Sequence, residues 1–428
     1  MKDININFIL IILFFIFSCS SSNSDLEQNI ITKPELTTKN LLEITQNSAL
    51  SGGTIISNGG ATITNKGVCW STEPNPTITN NITEDGGSGI GEFSSNLNEL
   101  ISNTEYFIRA YATNSKGVSY GNELSFNTSK IVFKGDIVFL TQEEINDFGD
   151  FGYNEVTGNV TIGDVNIAST NTITDLEGLK QLTNIYGDLT LHANDALDNI
   201  DGLRNLTIVG GSIFFSSNKA LTNLNGLNML NSIGQNFRIV QNEVLTNIDG
   251  LINLTEINGF LLIFNNDNLT NIDGLDNVSS IGFDIGIFGN DALTKIDGLN
   301  NLTSATGLSI SDNSVLSTIN GLNKLGSINL FLSIENNNAL ISFNGLSEIT
   351  SIGSNVEIKN NASLNNIDGL SKLTSFNGVL DIINNTNLND LCGINLLITN
   401  RFTGTYNVSN NGYNPSEQEI INGNCNNN

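Results

Sequence analysis

Two carboxylates one repeat apart are the nearest this sequence comes to a catalytic pair. Glu357 and Asp381 occupy the same position in successive copies of an internal repeat. If each copy supplies one strand of a parallel ladder, they lie about 5 Å apart, the separation used by retaining glycosidases. Glu335 and Lys359 fall beside them, and charges gathered on an outer strand face are more often a solvated surface than an acid–base couple. Little else is equipped for chemistry. His192 is the only histidine, and no Gly-x-Ser-x-Gly, His-Glu-x-x-His, P-loop, Cys-x-x-Cys or Cys/His metal spacing occurs. Neither a cofactor nor a metal is expected.

The repeat that places these carboxylates spans about residues 173–400. Glycines recur at Gly178, Gly202, Gly226, Gly250, Gly274, Gly298, Gly321, Gly345, Gly369 and Gly393, every spacing being 24 residues except one of 23. Numbered from Leu245, one unit puts apolar residues at positions 1, 4, 7, 10, 13, 17 and 19 (Leu245, Ile248, Leu251, Leu254, Ile257, Leu261, Ile263). No helical stripe fits that set, so each unit is expected to be short extended segments and turns, stacked as a solenoid because one copy cannot bury its apolar face alone. Ten coils at one strand spacing each give a rod on the order of 50 Å long.

Position 22 is an unbroken asparagine column: Asn194, Asn218, Asn242, Asn266, Asn290, Asn313, Asn337, Asn361 and Asn385. A buried amide left unpaired costs roughly 1–3 kcal/mol, so the column reads as a structural ladder bonding its own turn and the next coil. The glycine at position 6, usually after Asp or Asn (Asp201, Asp249, Asp273, Asp297, Asp368), reads as a turn needing positive φ. Solvated turn carboxylates account for that Asp column, with a calcium site as the alternative.

Positions 16, 18 and 20 flank the inward residue of the main strand and face outward. In mid-rod they carry Phe214, Arg238, Val240, Phe260, Leu262, Phe264 and Phe288. An exposed apolar patch of this kind marks an interaction site, here a protein or glycan contact surface centred on Phe264. The competing reading is that loops or a neighbouring domain cover these side chains, or that they pack along the ladder.

The 428 residues carry a formal net charge of −26 with only 14% charged residues. That balance argues against nucleic acid and anionic membrane surfaces as partners. Residues 20–33 are polar and read as a flexible tether. Residues 34–129 lack the 24-residue period and show strand-type runs at 49–56, 67–72, 104–113 and 123–128, the spacing of an antiparallel sandwich. Residues 130–172 lead into the solenoid, with a capped helix from Thr141 and Glu144 and a loop five residues longer than the repeat's. Cys392 and Cys425 flank the C-terminal segment and could pair in an oxidising compartment. Cys69, beside Trp70 in an apolar strand, reads as a buried thiol.

Three resemblances add to this. Lys2 precedes an apolar run at residues 4–17, too short to span a bilayer, and Ile16-Phe17-Ser18-Cys19 resembles the lipobox of bacterial lipoproteins, which implies lipidation of Cys19 and export to the outer membrane. An ordinary cleaved signal is the alternative. Leu100-Ile-Ser-Asn-Thr-Glu-Tyr106 followed by Phe107-Ile-Arg-Ala-Tyr-Ala112 resembles the tyrosine corner and F strand of fibronectin type III domains, which implies a spacer. Leu269-Thr-Asn-Ile-Asp-Gly-Leu275 and Leu189-Thr-Leu-His-Ala-Asn194 resemble the receptor L-domain over about residues 130–428, which implies short right-handed β-helices that bind ligands on the outer face of one sheet. A leucine-rich-repeat horseshoe is the structural alternative.

The expected fold is therefore all-β: a right-handed parallel β-solenoid of about ten 24-residue coils behind an N-terminal antiparallel β-sandwich. The expected function is non-enzymatic binding of a protein or glycan at the cell surface. A carbohydrate-active enzyme is the alternative, although the solenoid has only Arg204, Arg238 and Arg401 as arginines, and a purely architectural envelope protein is a third.

Overall fold

The computed structural model describes residues 30–163, 172–376, 378–400 and 402–427. The expected signal segment at 1–19 with Cys19, most of the expected tether at 20–33, and residues 164–171 lie outside the described residues. The chain divides into two compact units, one of Met1–Ile44, Ser48–Glu99 and Glu105–Asn127, the other of Thr45–Asn47, Leu100–Thr104 and Thr128–Asn428.

The first unit is an antiparallel sandwich. One sheet orders β1 (Glu35–Thr38), β2 (Ala49–Ser57) and β5 (Gly91–Leu97); the other orders β4 (Asn81–Ile82), β3 (Asn65–Ser71), β6 (Glu105–Asn114) and β7 (Gly117–Tyr120), with β8 (Leu124–Asn127) also paired to β6, across from β3. β5 alternates buried Phe93, Ser95 and Leu97 with exposed neighbours, the period-2 pattern of a half-buried strand. Tyr106 is buried and stacks on Phe126 with ring centroids 5.8 Å apart. Cys69 is buried and unbridged, and burial pushes its thiol up to about 11. Arg109 stands opposite it across the β3–β6 ladder, a cation the sequence did not show beside it, and its pull downward is outweighed.

The second unit is a parallel β-solenoid. The coils give three to five residues each to a wide sheet of twelve strands, running from Ile137–Phe139 to Thr405–Ser409, and most give two residues to a narrow sheet behind it. Position 17 and 19 side chains point inward and are essentially unexposed in every coil from Val160 to Ile382, as Leu261 and Ile263 illustrate. At ~0.8 kcal/mol per buried methylene, this shared core is the main stabilising term, and no single coil could form it alone.

A 3₁₀ turn at positions 5–7, such as Asp249–Leu251, carries each position-6 glycine. None of the ten glycines has positive φ, which corrects the turn reading. Their requirement is steric: a Cβ on Gly250 would sit 1.9 Å from Leu224 O of the preceding coil, and the other nine sites are as tight. The left-handed residue is at position 21 instead, as in Gln241, Asn265, Asp312, Asn336, Asn360 and Asn384, where Asn and Asp tolerate that conformation best.

The asparagines of position 22 are fully buried. Asn218 Nδ2 donates to Leu191 O of the preceding coil at 3.1 Å and to Asn242 Oδ1 of the next at 3.0 Å, and its backbone N–H reaches the same Oδ1 at 3.2 Å. The backbone N–H bond to the next Oδ1 and the Nδ2 bond to the preceding coil repeat up the rod to Asn385, which bonds Asn411. Asn411 is a further member that the fixed period hides, because it follows at a spacing of 26. Asn414 Oδ1 then accepts from Asn411 N–H at 2.9 Å and closes the column.

Both ends are capped. Helix α1 (Gln142–Phe151) has a complete capping box between Thr141 and Glu144 and buries Ile145 and Phe148 over the first coils. At the far end Cys392 and Cys425 form a disulfide across a separation of 33 residues.

Candidate functional site

The outward face of the wide sheet is uneven along the rod. In the first coils position 16 carries a polar ladder in which each side chain accepts from the position-16 N–H of the next coil. Asn159 Oδ1 takes Asp188 N–H at 2.7 Å, Asp188 Oδ1 takes Ser212 N–H at 2.6 Å, and Asn236 Oδ1 takes Phe260 N–H at 3.2 Å. The ladder then stops, because Phe260, Gly307 and Phe331 offer no side-chain acceptor and the carboxylate of Asp284 meets no donor among the described residues, and it resumes only where Asn355 Oδ1 takes Val379 N–H at 3.1 Å. Across the gap the column reads Phe260, Asp284, Gly307, Phe331.

The single 23-residue spacing lies in the same window. The wide sheet keeps its register through it, Ile285 pairing with Leu308 and Ile287 with Ile310. The missing residue is absorbed between Ala305 and Leu308. There the narrow sheet splits into seven strands ending at Ser280–Ile281 and three beginning at Ser304–Ala305. Elsewhere Gly282 N–H bonds Ile257 O and Asn329 N–H bonds Ala305 O; among the described residues Thr306 N–H makes no corresponding bond to Ile281 O.

A groove of about 420 Å³ opens at this break. Phe260, Leu262, Phe283, Phe288 and Phe331 line it, together with Gly286 and with Asp284 and Ser309 as polar groups. Gly286, at outward position 18, lets Phe288 lie over the backbone: a Cβ there would meet that ring at 2.5 Å. Gly307 does the same for Phe331, at 2.6 Å, and its Cβ would also meet Asp284 Oδ1 at 2.7 Å. Phe283 is 60% exposed.

The residues singled out in the sequence are distributed unequally about this groove. Phe260, Leu262 and Phe288 line it; Phe214, Val240 and Phe264 are half-buried along the ladder outside it. Arg238 lies between two rings, its guanidinium 4.8 Å from the centroid of Phe260 and 5.9 Å from that of Phe214. Its Nε is buried without a hydrogen-bond partner among the described residues, so the ring faces supply much of its electrostatic compensation. Sequence reasoning missed Phe283, Asp284, Gly286 and Phe331. Two signals were present, the 23-residue spacing and the loss of polar residues from position 16.

Glu357 and Asp381 are cross-strand partners, with Lys359 Nζ between them at 3.2 and 2.9 Å. Burial alone would raise Asp381, but hydrogen bonds from Asn407 and Lys359 outweigh it and hold the carboxyl below its usual range. A general acid needs the opposite shift. Burial pulls Lys359 down, and its bonds to both carboxylates more than offset this. His192 Nδ1 is hydrogen-bonded to Ser216 Oγ. Along the Asp turns, Lys295 bridges Asp273 and Asp297 at 2.9 and 3.2 Å, and among the described residues no group of three or more His, Cys, Asp or Glu is placed to hold a metal ion. No helix among them is long and apolar enough to cross a membrane.

No family model matches this chain, and no curated protein matches it. Among solved structures, the sensor domain of the anti-sigma factor RsgI4 in Pseudobacteroides cellulosolvens is 19% identical over 23% of this chain and 97% of that one, with a TM-score of 0.19. Domains A168–A170 of titin are 19% identical over 24% of this chain and 33% of that one, with a TM-score of 0.18. Likenesses at these scores bear on neither the fold nor the function.

Proposed function

We propose that this protein is a non-enzymatic recognition module that binds a protein or glycan through the outward face of its wide sheet. The groove around Gly286 carries the reading: an open apolar trough lined by four phenylalanines, set where the repeat gives up two of its own bonding patterns. Solvent-facing aromatics on a rigid ladder offer contact area at little entropic cost. In the same reading the chain is a lipoprotein anchored through Cys19 at the bacterial outer membrane, its sandwich a fibronectin type III-like spacer and its solenoid a relative of the receptor L-domain. The net charge of −26 supports this by disfavouring adhesion to anionic lipid or nucleic acid.

The carbohydrate-active alternative has weaker support, since Lys359 bridges both members of the Glu357 and Asp381 pair. Probing the purified chain against protein and glycan arrays tests the proposal. A partner whose signal is lost in Phe283→Ser/Phe331→Ser supports it. Turnover of a polysaccharide, or partner binding indifferent to both substitutions, overturns it.

A further inference from the structure

The groove's chemistry narrows the partner, given that the recognition reading above holds. Asp284 belongs to a column whose other polar members bond the next coil, yet its own carboxylate meets no hydrogen-bond donor and no cation among the described residues. Gly307 N–H, the donor that register would supply, does not reach it. The carboxylate therefore stands free beside Phe283 and, across Gly307, beside the ring of Phe331. A negative group among aromatic faces is the arrangement that holds an organic cation: the carboxylate neutralises its charge while the ring quadrupoles replace its water.

The molecule already contains one such pairing. Arg238 rests its guanidinium on Phe260, the same phenylalanine that lines the groove. One aromatic row thus serves a cation of this chain at one end and is open at the other. On a chain of net charge −26 the long-range field draws a basic partner inward, whereas a neutral sugar would gain nothing from it. We infer that the groove captures an arginine or lysine side chain presented by a basic segment of a partner protein, with Asp284 as its counter-charge and Phe283 and Phe331 as the rings that flank it.

Ligand-observed NMR with the full chain, at physiological salt of about 0.15 M, tests this with a short Gly/Ser peptide carrying one arginine and its citrulline counterpart, which keeps the shape and loses the charge. The arginine peptide is expected to bind about tenfold more tightly than the citrulline peptide, a difference of about 1.4 kcal/mol. Asp284→Asn should erase that preference, Phe283→Ser should weaken the arginine peptide, and Glu256→Gln, which removes a carboxylate from the narrow sheet, should change neither. Equal binding of the two peptides, no binding of either, or an unaltered preference in Asp284→Asn overturns the cation assignment. If a neutral oligosaccharide binds instead and is lost in Phe283→Ser, the cation assignment falls and the recognition reading stands. If array partners bind Phe283→Ser/Phe331→Ser as they bind the parent chain, both fall.

Discussion

Asn290 donates through Nδ2 to Asn313 Oδ1 at 3.2 Å across the one pair of coils that are 23 rather than 24 residues apart. The asparagine column and the wide sheet pass through the short coil undisturbed, and the whole deficit falls on the narrow side. Thr303 and Thr306 N–H, whose counterparts in neighbouring coils bond the coil before, make no such bond here among the described residues. Hydrogen exchange should therefore find these two amides fast against the protected amides of Asn258 and Gly282, which bond Ile233 O and Ile257 O. Equal protection would show that the narrow ladder is continuous.

Glycine and asparagine have exchanged the roles that local rules assign them, and paired substitutions separate the two causes. Gly250→Ala drives a Cβ to 1.9 Å from Leu224 O; since backbone must move, the expected loss is about 3 kcal/mol or more in chemical denaturation. Asn265→Ala, at φ 52°, should cost only about 1 kcal/mol, and Asn265→Gly close to nothing. A mild Gly250→Ala would remove the steric account.

The Cys392–Cys425 bond closes a loop of 33 residues at the end of the rod where Leu391 N–H bonds Cys425 O. Loop-closure entropy puts its contribution at about 3–4 kcal/mol at most. Reduction should lower the melting temperature and expose the last coils to proteolysis first. An unchanged melt and digestion pattern would mean that the cap holds without it.

Asp381 supplies a pH dependence with a definite sign. Its folded pKa is depressed, so its ionic contribution is complete above the unfolded value of about 3.9 and disappears as the pH falls through the lower folded value. Asp381→Asn should therefore reduce the melting temperature at neutral pH and match the parent chain in strong acid. A gap that persists in acid would trace to packing and not to charge.

The apolar positions and the asparagine column are legible in the sequence because each is a duty repeated in every coil: Leu261 and Ile263 have counterparts at every level, and so does Asn266. What fails to transfer is anything that depends on two coils at once. Gly250 looks like a turn residue from its own neighbours, Asp249 and Leu251, yet the atom that forbids a side chain there, Leu224 O, is 26 positions back. The outward aromatics are likewise visible as a run. Which of them line the groove depends on the side of the coil that takes up a missing residue, and Phe264, the centre of the run in sequence, is half-buried outside the groove at Gly286. Asp284 carried no signal of its own; only the silence of its ladder partners distinguishes it.

A stack of near-identical layers is by nature a template for further layers, and a second molecule arriving at its end would find the next rung already specified. Asn414 answers that hazard from within the chain by occupying the acceptor site that the following asparagine would fill. The column thus ends with its donors already engaged, and growth of the rod into fibres loses the register it would need.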